Sequence, residues 1–258
     1  MGRIIVALSG GKASAWCANW AMRNFDKDDI VLYFNDTKWE HPDLYRFLDD
    51  LSRFLKKEVT KDTDGRSPEQ LFFDQKALAC DRMPFCSRIL KAERLQKFYK
   101  NGDTIIFGIS KDEEHRAQRI VSVYQVIAAK KKKMCRIRFP LIEHGINSME
   151  IDDFIKHSGI EEPILYKLGF SHNNCSGGCV RQGKRQWKRL YDKLPDVYAD
   201  RERVERRFRK KFSKDVHFLK DITLEDFRIK IEKGELSGFY YKDEYPLFEC
   251  VGICNTMS

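Results

Sequence analysis

Ile4-Ile5-Val6-Ala7-Leu8-Ser9-Gly10-Gly11-Lys12-Ala13-Ser14 is the stretch on which the fold turns. Five apolar residues without a polar interruption form the kind of strand that is covered on both faces, as in a parallel sheet. The Ser-Gly-Gly that follows makes a tight loop, and a helix is predicted from about Ala13 to Asn24. Glycines let the backbone come close to an anion, and the loop N–H groups together with the positive end of the helix supply a phosphate cradle. The spacing is neither that of the Walker loop nor that of the dinucleotide fingerprint.

Working outward, Ile30-Val31-Leu32-Tyr33-Phe34 and Thr104-Ile105-Ile106-Phe107-Gly108 read as further buried strands. Pro42 suits the first turn of a helix that carries Leu44, Phe47, Leu48 and Leu51 on one face. Helices are also predicted from about Ser87 to Tyr99 and from about Glu113 to Ala128. Strands alternating with helices give an α/β class: a doubly wound, mostly parallel, Rossmann-like sheet. Ligands of such sheets lie at the carboxyl ends of the strands, where Ser9, Asn35 and Ile109 fall. From Phe139 the pattern changes to short helices, turns and paired cysteines. The chain therefore divides into a nucleotide-binding α/β core, 1–138, and a smaller cysteine-containing region, 139–258, that holds a basic helix and a cysteine tail and packs on the core.

The sequence has 258 residues, eight of them cysteine, and a formal charge of +9. Ile4–Leu8 is too short for a signal peptide's apolar segment or a membrane span, and a single cation, Arg3, precedes it. A cytoplasmic protein without membrane attachment is expected, with cysteines that are reduced thiols, ligands or redox groups rather than a disulfide framework. The positive charge favours a polyanion, either a nucleotide or a nucleic acid. Much of it lies in Lys130–Lys133 and in residues 201–214. There Glu202/Arg206 and Glu205/Arg209 have the i,i+4 spacing of a salt-bridged, solvated helix.

Cys175 and Cys179 flank Ser176-Gly177-Gly178, a turn that folds both sulfurs to one side, and thiolates so placed suit an iron–sulfur cluster or zinc. Cys17 and Cys135 read as small buried residues. Arg116 and Arg119, one helical turn apart, form a candidate clasp for phosphate or sulfate. Lys167, Arg181, Lys184 and Arg185 add positive charge near the cysteine turn.

The loop resembles the PP-loop of the adenine nucleotide alpha hydrolase superfamily, with Ala13 where the usual form has aspartate. A narrower resemblance, over about residues 3 to 180, is to the phosphoadenosine phosphosulfate reductase family. It rests on the order of several motifs: Phe34-Asn35-Asp36-Thr37, then Glu40-His41-Pro42, then Cys86 through Lys91, then Phe139-Pro140-Leu141-Ile142, and finally Ile160 through Gly169-Phe170 leading to Cys175 and Cys179. The Glu249-Cys250 tail is similar to the one on which such reductases carry their nucleophile, with Val251 interrupting the match.

The resemblance implies an adenine nucleotide, ATP or phosphoadenosine phosphosulfate, with magnesium as an accompanying ion. It would be held by Ser9, Gly10, Gly11, Lys12, Ser14, Asn35, Thr37, Gly108, Arg116 and Arg119. It implies Cys250 as nucleophile, Cys254 as resolving thiol and a thiol reductant such as thioredoxin. It further implies one metal centre shared by Cys86, Cys175 and Cys179, and the fourth ligand is Cys80, Cys250 or Cys254. That centre is a [4Fe-4S] cluster, with zinc as the alternative. The expected activity is thiol-dependent reduction of an adenylyl sulfonucleotide. The alternatives are an ATP-dependent sulfurtransferase acting on a nucleic acid or other acceptor, and a nucleotide-binding regulator.

Overall fold

The computed structural model describes residues 2–80 and 83–236. Five strands form a single all-parallel sheet: β1 (Ile4–Leu8), β2 (Ile30–Asp36), β3 (Val59–Thr63), β4 (Thr104–Phe107) and β5 (Arg136–Arg138). Their order across the sheet is β3-β2-β1-β4-β5. The register runs Val6 opposite Leu32 on one side and opposite Ile106 on the other. The chain thus winds outward from β1 to β3, crosses back to β4 and continues to β5. The order reverses beside β1, the switch point at which sheets of this kind hold ligands in a crevice at the carboxyl ends of the strands.

The helices in chain order are α1 (Lys12–Asn24), α2 (Pro42–Leu55), α3 (Pro68–Gln75), α4 (Phe85–Ser87), α5 (Glu93–Phe98), α6 (Glu114–Lys131), α7 (Pro140–Glu143), α8 (Ser148–Ser158), α9 (Ile164–Lys167), α10 (Lys184–Lys193), α11 (Pro195–Phe212) and α12 (Leu224–Glu232). Strand alternation distributes the core. Ile4, Val6, Leu8, Leu32, Phe34 and Ile106 face α1, α2 and α8 on one side of the sheet. Ile5, Ala7, Tyr33, Ile105 and Phe107 face α5 and α6 on the other. Leu44, Phe47, Leu48 and Leu51 are all fully buried, as the spacing of α2 predicts. That helix starts where Pro42 fixes its first turn and the ring nitrogen Nδ1 of His41 accepts from Asp43 N at 3.1 Å. A third apolar cluster joins Trp39, Leu71, Phe72 and Leu90 to the helices after residue 160, centred on Trp187, Tyr198, Phe208 and Phe227. No helix among the described residues is long and apolar enough to cross a membrane.

The segment expected to be a solvated basic helix is α11, and its inner face is buried. Arg201, Val204, Glu205 and Phe208 are all inaccessible, because the helix packs on α3, α10 and α12. Glu202 does face Arg206, at 3.9 Å. Glu205 does not pair with Arg209. It accepts instead from Phe218 N and Leu224 N, both at 2.7 Å, and so pins the loop between α11 and α12.

Burial pushes the Glu205 carboxyl up from 4.5 to about 7, against the pull of those two donors. An acid raised in the folded chain binds a proton that the unfolded chain has lost. Its stabilisation is therefore complete below the unfolded value and disappears as pH rises through the folded one. Melting temperature is expected to fall between pH 5 and pH 8, with Glu205 accounting for roughly 3 kcal/mol of the change. Glu205→Gln should flatten that slope. An unchanged slope in the variant would show that the carboxyl is ionised throughout.

Candidate functional site

The phosphate loop is prepared by its own hydroxyls. Ser14 Oγ accepts from Ser9 N at 3.1 Å, shares a 3.1 Å hydrogen bond with Ser9 Oγ and donates to Gly11 O at 2.9 Å. Ser9 Oγ accepts from Gly11 N at 3.3 Å. Gly11, the N-cap of α1, offers no side-chain acceptor, so the first-turn N–H groups face the mouth of the loop. Gly108, at the end of β4, lies directly against this helix start. A Cβ on it would meet Ser14 N at 2.7 Å and Ala13 C at 2.8 Å. The loop therefore sits in the crevice between β1 and β4.

Lys12 turns to the α8 side of the loop. Its ammonium is 2.5 Å from Asp152, 2.6 Å from Glu162 and 4.7 Å from the centre of the Tyr166 ring. Burial opposes its charge, but the two carboxylates outweigh burial and hold its pKa above the usual lysine value. At the end of β2, Asn35 donates to Tyr33 Oη at 3.0 Å, and that hydroxyl donates to Asp62 at 2.5 Å, a carboxylate also gripped by Arg94. Thr37 donates to Glu40 Oε1 at 2.9 Å. Arg116 pairs with Glu113 at the start of α6, and Arg119 is exposed one turn further along that helix.

The cysteine turn comes to the loop from the far end of the chain. Asn173 donates to Gly10 O at 2.8 Å, and the remainder of the turn is fastened to the segment before α2. Cys175 N donates to Glu40 Oε2 at 2.6 Å, Ser176 Oγ donates to Trp39 O at 3.0 Å, and Arg201 Nη2 donates to Cys175 O at 3.3 Å. The Arg201 guanidinium stacks 3.6 Å from the centre of the Trp39 ring, and burial lowers its pKa.

Glu40 is the hub of this arrangement. Its side chain is wholly buried, and Lys91 lies 3.3 Å away with 8% of its own side chain exposed. Lys91 belongs to a π-turn, Arg88–Ala92, between α4 and α5. Such turns add a residue to the helix and are frequent at functional sites. Cys175 and Cys179 are within hydrogen-bonding reach of one another. That contact first, then burial, then the Glu40 carboxylate push the Cys175 thiol well above its ordinary value.

Glu40 enters the sequence reading only as part of the Glu40-His41-Pro42 motif, and neither Asn173 nor Arg201 is read there as a site residue. Glu40 precedes a helix, where a carboxylate is an ordinary complement to the dipole. Arg201 stands in a run of charges. Asn173 leaves one signal, a polar residue beside the cysteines.

Of the thiols expected to share a metal, Cys175 and Cys179 come together. Cys80 forms an isolated backbone β-bridge with Met83, and Cys86 is in α4 against the third apolar cluster. Among the described residues no group of three or more His, Cys, Asp or Glu side chains is arranged to hold a metal ion. Cys250 and Cys254 lie outside the described residues. The described thiols brought together are thus one hydrogen-bonded pair, two of the four thiolates that a [4Fe-4S] cluster or a closed zinc site takes.

A family model described as the phosphoadenosine phosphosulfate reductase domain matches residues 3–184. The chain belongs to this family. The match begins just before β1 and ends at the first residue of α10, so it takes in the sheet, the phosphate loop, the Glu40–Lys91 pair and the cysteine turn of this phosphoadenosine phosphosulfate reductase family member. No curated protein and no solved structure matches the chain.

Proposed function

We propose that the chain binds an adenylyl sulfonucleotide on the Ser9–Ser14 loop and reduces its sulfonate with cysteine thiols. The observation that carries this reading is the hydrogen bond from Asn173 to Gly10 O, which fastens a segment bearing two thiols to the phosphate cradle. The loop N–H groups and the amino end of α1 hold the phosphate. Asn35 and Thr37, at the end of β2, border the nucleoside side of the crevice. Lys91 and Arg201 bring positive charge beside the Cys175–Cys179 pair, where the sulfonate would be received. The thiols available for attack are those of the turn and the tail thiols Cys250 and Cys254, and a protein dithiol of the thioredoxin class restores them.

The basic groups of α11 that would favour a nucleic-acid acceptor are largely engaged with neighbouring carboxylates: Arg203 and Arg207 with Glu69, and Arg209 with Asp215. The test is to incubate the reduced, anaerobic chain separately with a labelled adenylyl sulfonucleotide and with ATP. Sulfite and the corresponding adenosine phosphate are expected from the first. Pyrophosphate released from ATP, with no sulfite from the sulfonucleotide, would transfer the chain to nucleotide-dependent sulfur transfer.

Gly10 supplies a direct check on the loop. Its φ is +82°, and a Cβ there would lie 2.6 Å from Leu44 Cδ1 and Cγ. The obstruction is the buried core rather than the phosphate space, yet the result is the same, because the loop must move to escape Leu44. Gly10→Val should weaken adenine-nucleotide binding by at least about 100-fold, close to 3 kcal/mol, in calorimetric titration. A folded variant with wild-type affinity would place the nucleotide elsewhere.

A further inference from the structure

The strongest feature that the nucleotide reading leaves open is the state in which Cys175 and Cys179 are presented. Cys175 and Cys179 are half-buried, and the other residues from His172 to Val180 are buried. Three successive residues, Cys175, Ser176 and Gly177, have φ values of 53°, 53° and 76°. For two non-glycine residues this is a costly conformation that surrounding contacts must impose. Those contacts are present. Glu40 holds Cys175 N, the Trp39 carbonyl holds the Ser176 hydroxyl, Arg201 holds the Cys175 carbonyl, and Gly178 N closes the turn on Cys175 O at 2.9 Å. The fold thus brings two sulfurs together beside the phosphate loop, and the entropy of joining them is met before any substrate arrives.

We infer that Cys175 and Cys179 form a redox-active dithiol that supplies both electrons for reduction of the bound sulfonate. Its substrate rests on the sulfonucleotide reading above, whereas the dithiol couple itself does not. One thiolate of the pair attacks the sulfonate sulfur. The sulfur–oxygen bond to the nucleotide phosphate breaks, the adenosine phosphate leaves with that oxygen and its electron pair, and an S-sulfonated cysteine remains. The second thiol attacks the sulfur of that cysteine and releases its proton to solvent. The Cys175–Cys179 disulfide forms, the bond to the sulfonate group breaks, and sulfite departs with the electron pair. Two thiols are oxidised to one disulfide while sulfur falls from the sulfate to the sulfite level. A protein dithiol of the thioredoxin class then reduces the disulfide by exchange.

The full chain, purified anaerobically, is assayed for iron, sulfide and zinc and poised in mixtures of reduced and oxidised dithiothreitol. Disulfides are mapped by peptide mass. Expected are a Cys175–Cys179 disulfide that forms and reverses as a two-electron couple, and its loss in Cys175→Ser and Cys179→Ser but not in the control Cys135→Ser. The reduced chain is next given adenylyl sulfonucleotide without external reductant. One sulfite per chain should be released as the same disulfide appears, and one of the two serine variants should hold the S-sulfonate, seen by intact mass.

Stoichiometric iron and sulfide lost on replacing Cys175 or Cys179 would overturn the inference and make the pair cluster ligands. So would zinc lost in the same way, or thiols that stay reduced across the whole titration. Sulfite released while the pair remains reduced, with a disulfide mapped to Cys250 and Cys254, would overturn this inference and leave the reductase reading intact. A pair that cycles normally in a chain that binds nucleotide but yields no sulfite would overturn the reductase reading, and the donor role with it.

Discussion

Replacing Glu40 by alanine is expected to lower the unfolding free energy by about 3–5 kcal/mol, the usual cost of leaving one member of a buried ion pair without its partner. The carboxylate does three tasks at once. It faces Lys91 at 3.3 Å, accepts from Thr37 at 2.9 Å and accepts from Cys175 N at 2.6 Å. With none of its side chain exposed, water cannot replace it without rearrangement. The loss should also reach the site, because the cysteine turn would lose the anchor that keeps Cys175 at a positive φ. Glu40→Gln keeps an acceptor and removes the charge, so it should cost less. Adding Lys91→Met to Glu40→Gln should recover part of that cost, since no lone ammonium then remains beside a neutral amide. Urea unfolding measures all three. A Glu40→Ala loss under about 1 kcal/mol would mean that the pair is solvated in solution and is not the hub described here.

What the sequence discloses of this molecule follows from how local each signal is. β1, β2 and β4 are apolar runs covered on both faces, and each is legible because burial on two sides removes polar residues from the run. β3 and β5 are not legible. Val-Thr-Lys-Asp-Thr and Arg-Ile-Arg are edge strands with solvent on one flank, and their place in the sheet comes from pairing with β2 and β4 rather than from their own composition. The same contrast holds at the site. Ser9, Gly10, Gly11 and Ser14 are contiguous and announce a phosphate loop by themselves. Glu40, Lys91, Asn173 and Arg201 meet only because the carboxyl ends of the strands, a π-turn and a helix near the end of the fold converge. Each is ordinary in its own neighbourhood. Arg201 shows this most clearly, since a charge run suggests solvent while the third apolar cluster buries the first turns of that helix on one side.

The cysteines show how far motif order carries. Order brings Cys175 and Cys179 beside the phosphate loop, and the hydrogen bond from Asn173 supplies the physical link. Order does not determine coordination, which depends on where the sulfurs of Cys80 and Cys86 point once α4 and its π-turn have packed. That packing is governed by Phe72, Phe85 and Leu90 in the third cluster, which are apolar residues with no chemistry of their own.

Gly108→Ala is the second change expected to have a large effect, and it separates strain from collision. Gly108 lies at the end of β4, and its missing side chain is what allows α1 to begin where it does. A Cβ would come within 2.8 Å of Ser14 N, Ala13 C and Ser14 Cα, all of them backbone atoms of the phosphate-binding helix start. A side chain in that position could turn away, but the first turn of a helix moves only as a unit. The loss should therefore exceed the 1–3 kcal/mol typical of overpacking in a core and reach about 3 kcal/mol or more. Relief requires α1 to slide from β4, which carries its N–H groups off the phosphate position, so nucleotide affinity should fall by at least about tenfold in any fraction that folds. Gly102→Ala is the matched control: its φ is +87° and nothing lies within 4 Å of the added Cβ, so only conformational strain of about 1 kcal/mol applies and binding should be retained. Thermal unfolding and nucleotide titration of both variants give the comparison. Equal losses of stability with affinity intact in both would show that β4 and α1 are not in contact at Gly108, and that the crevice at the end of β1 is wider than this packing allows.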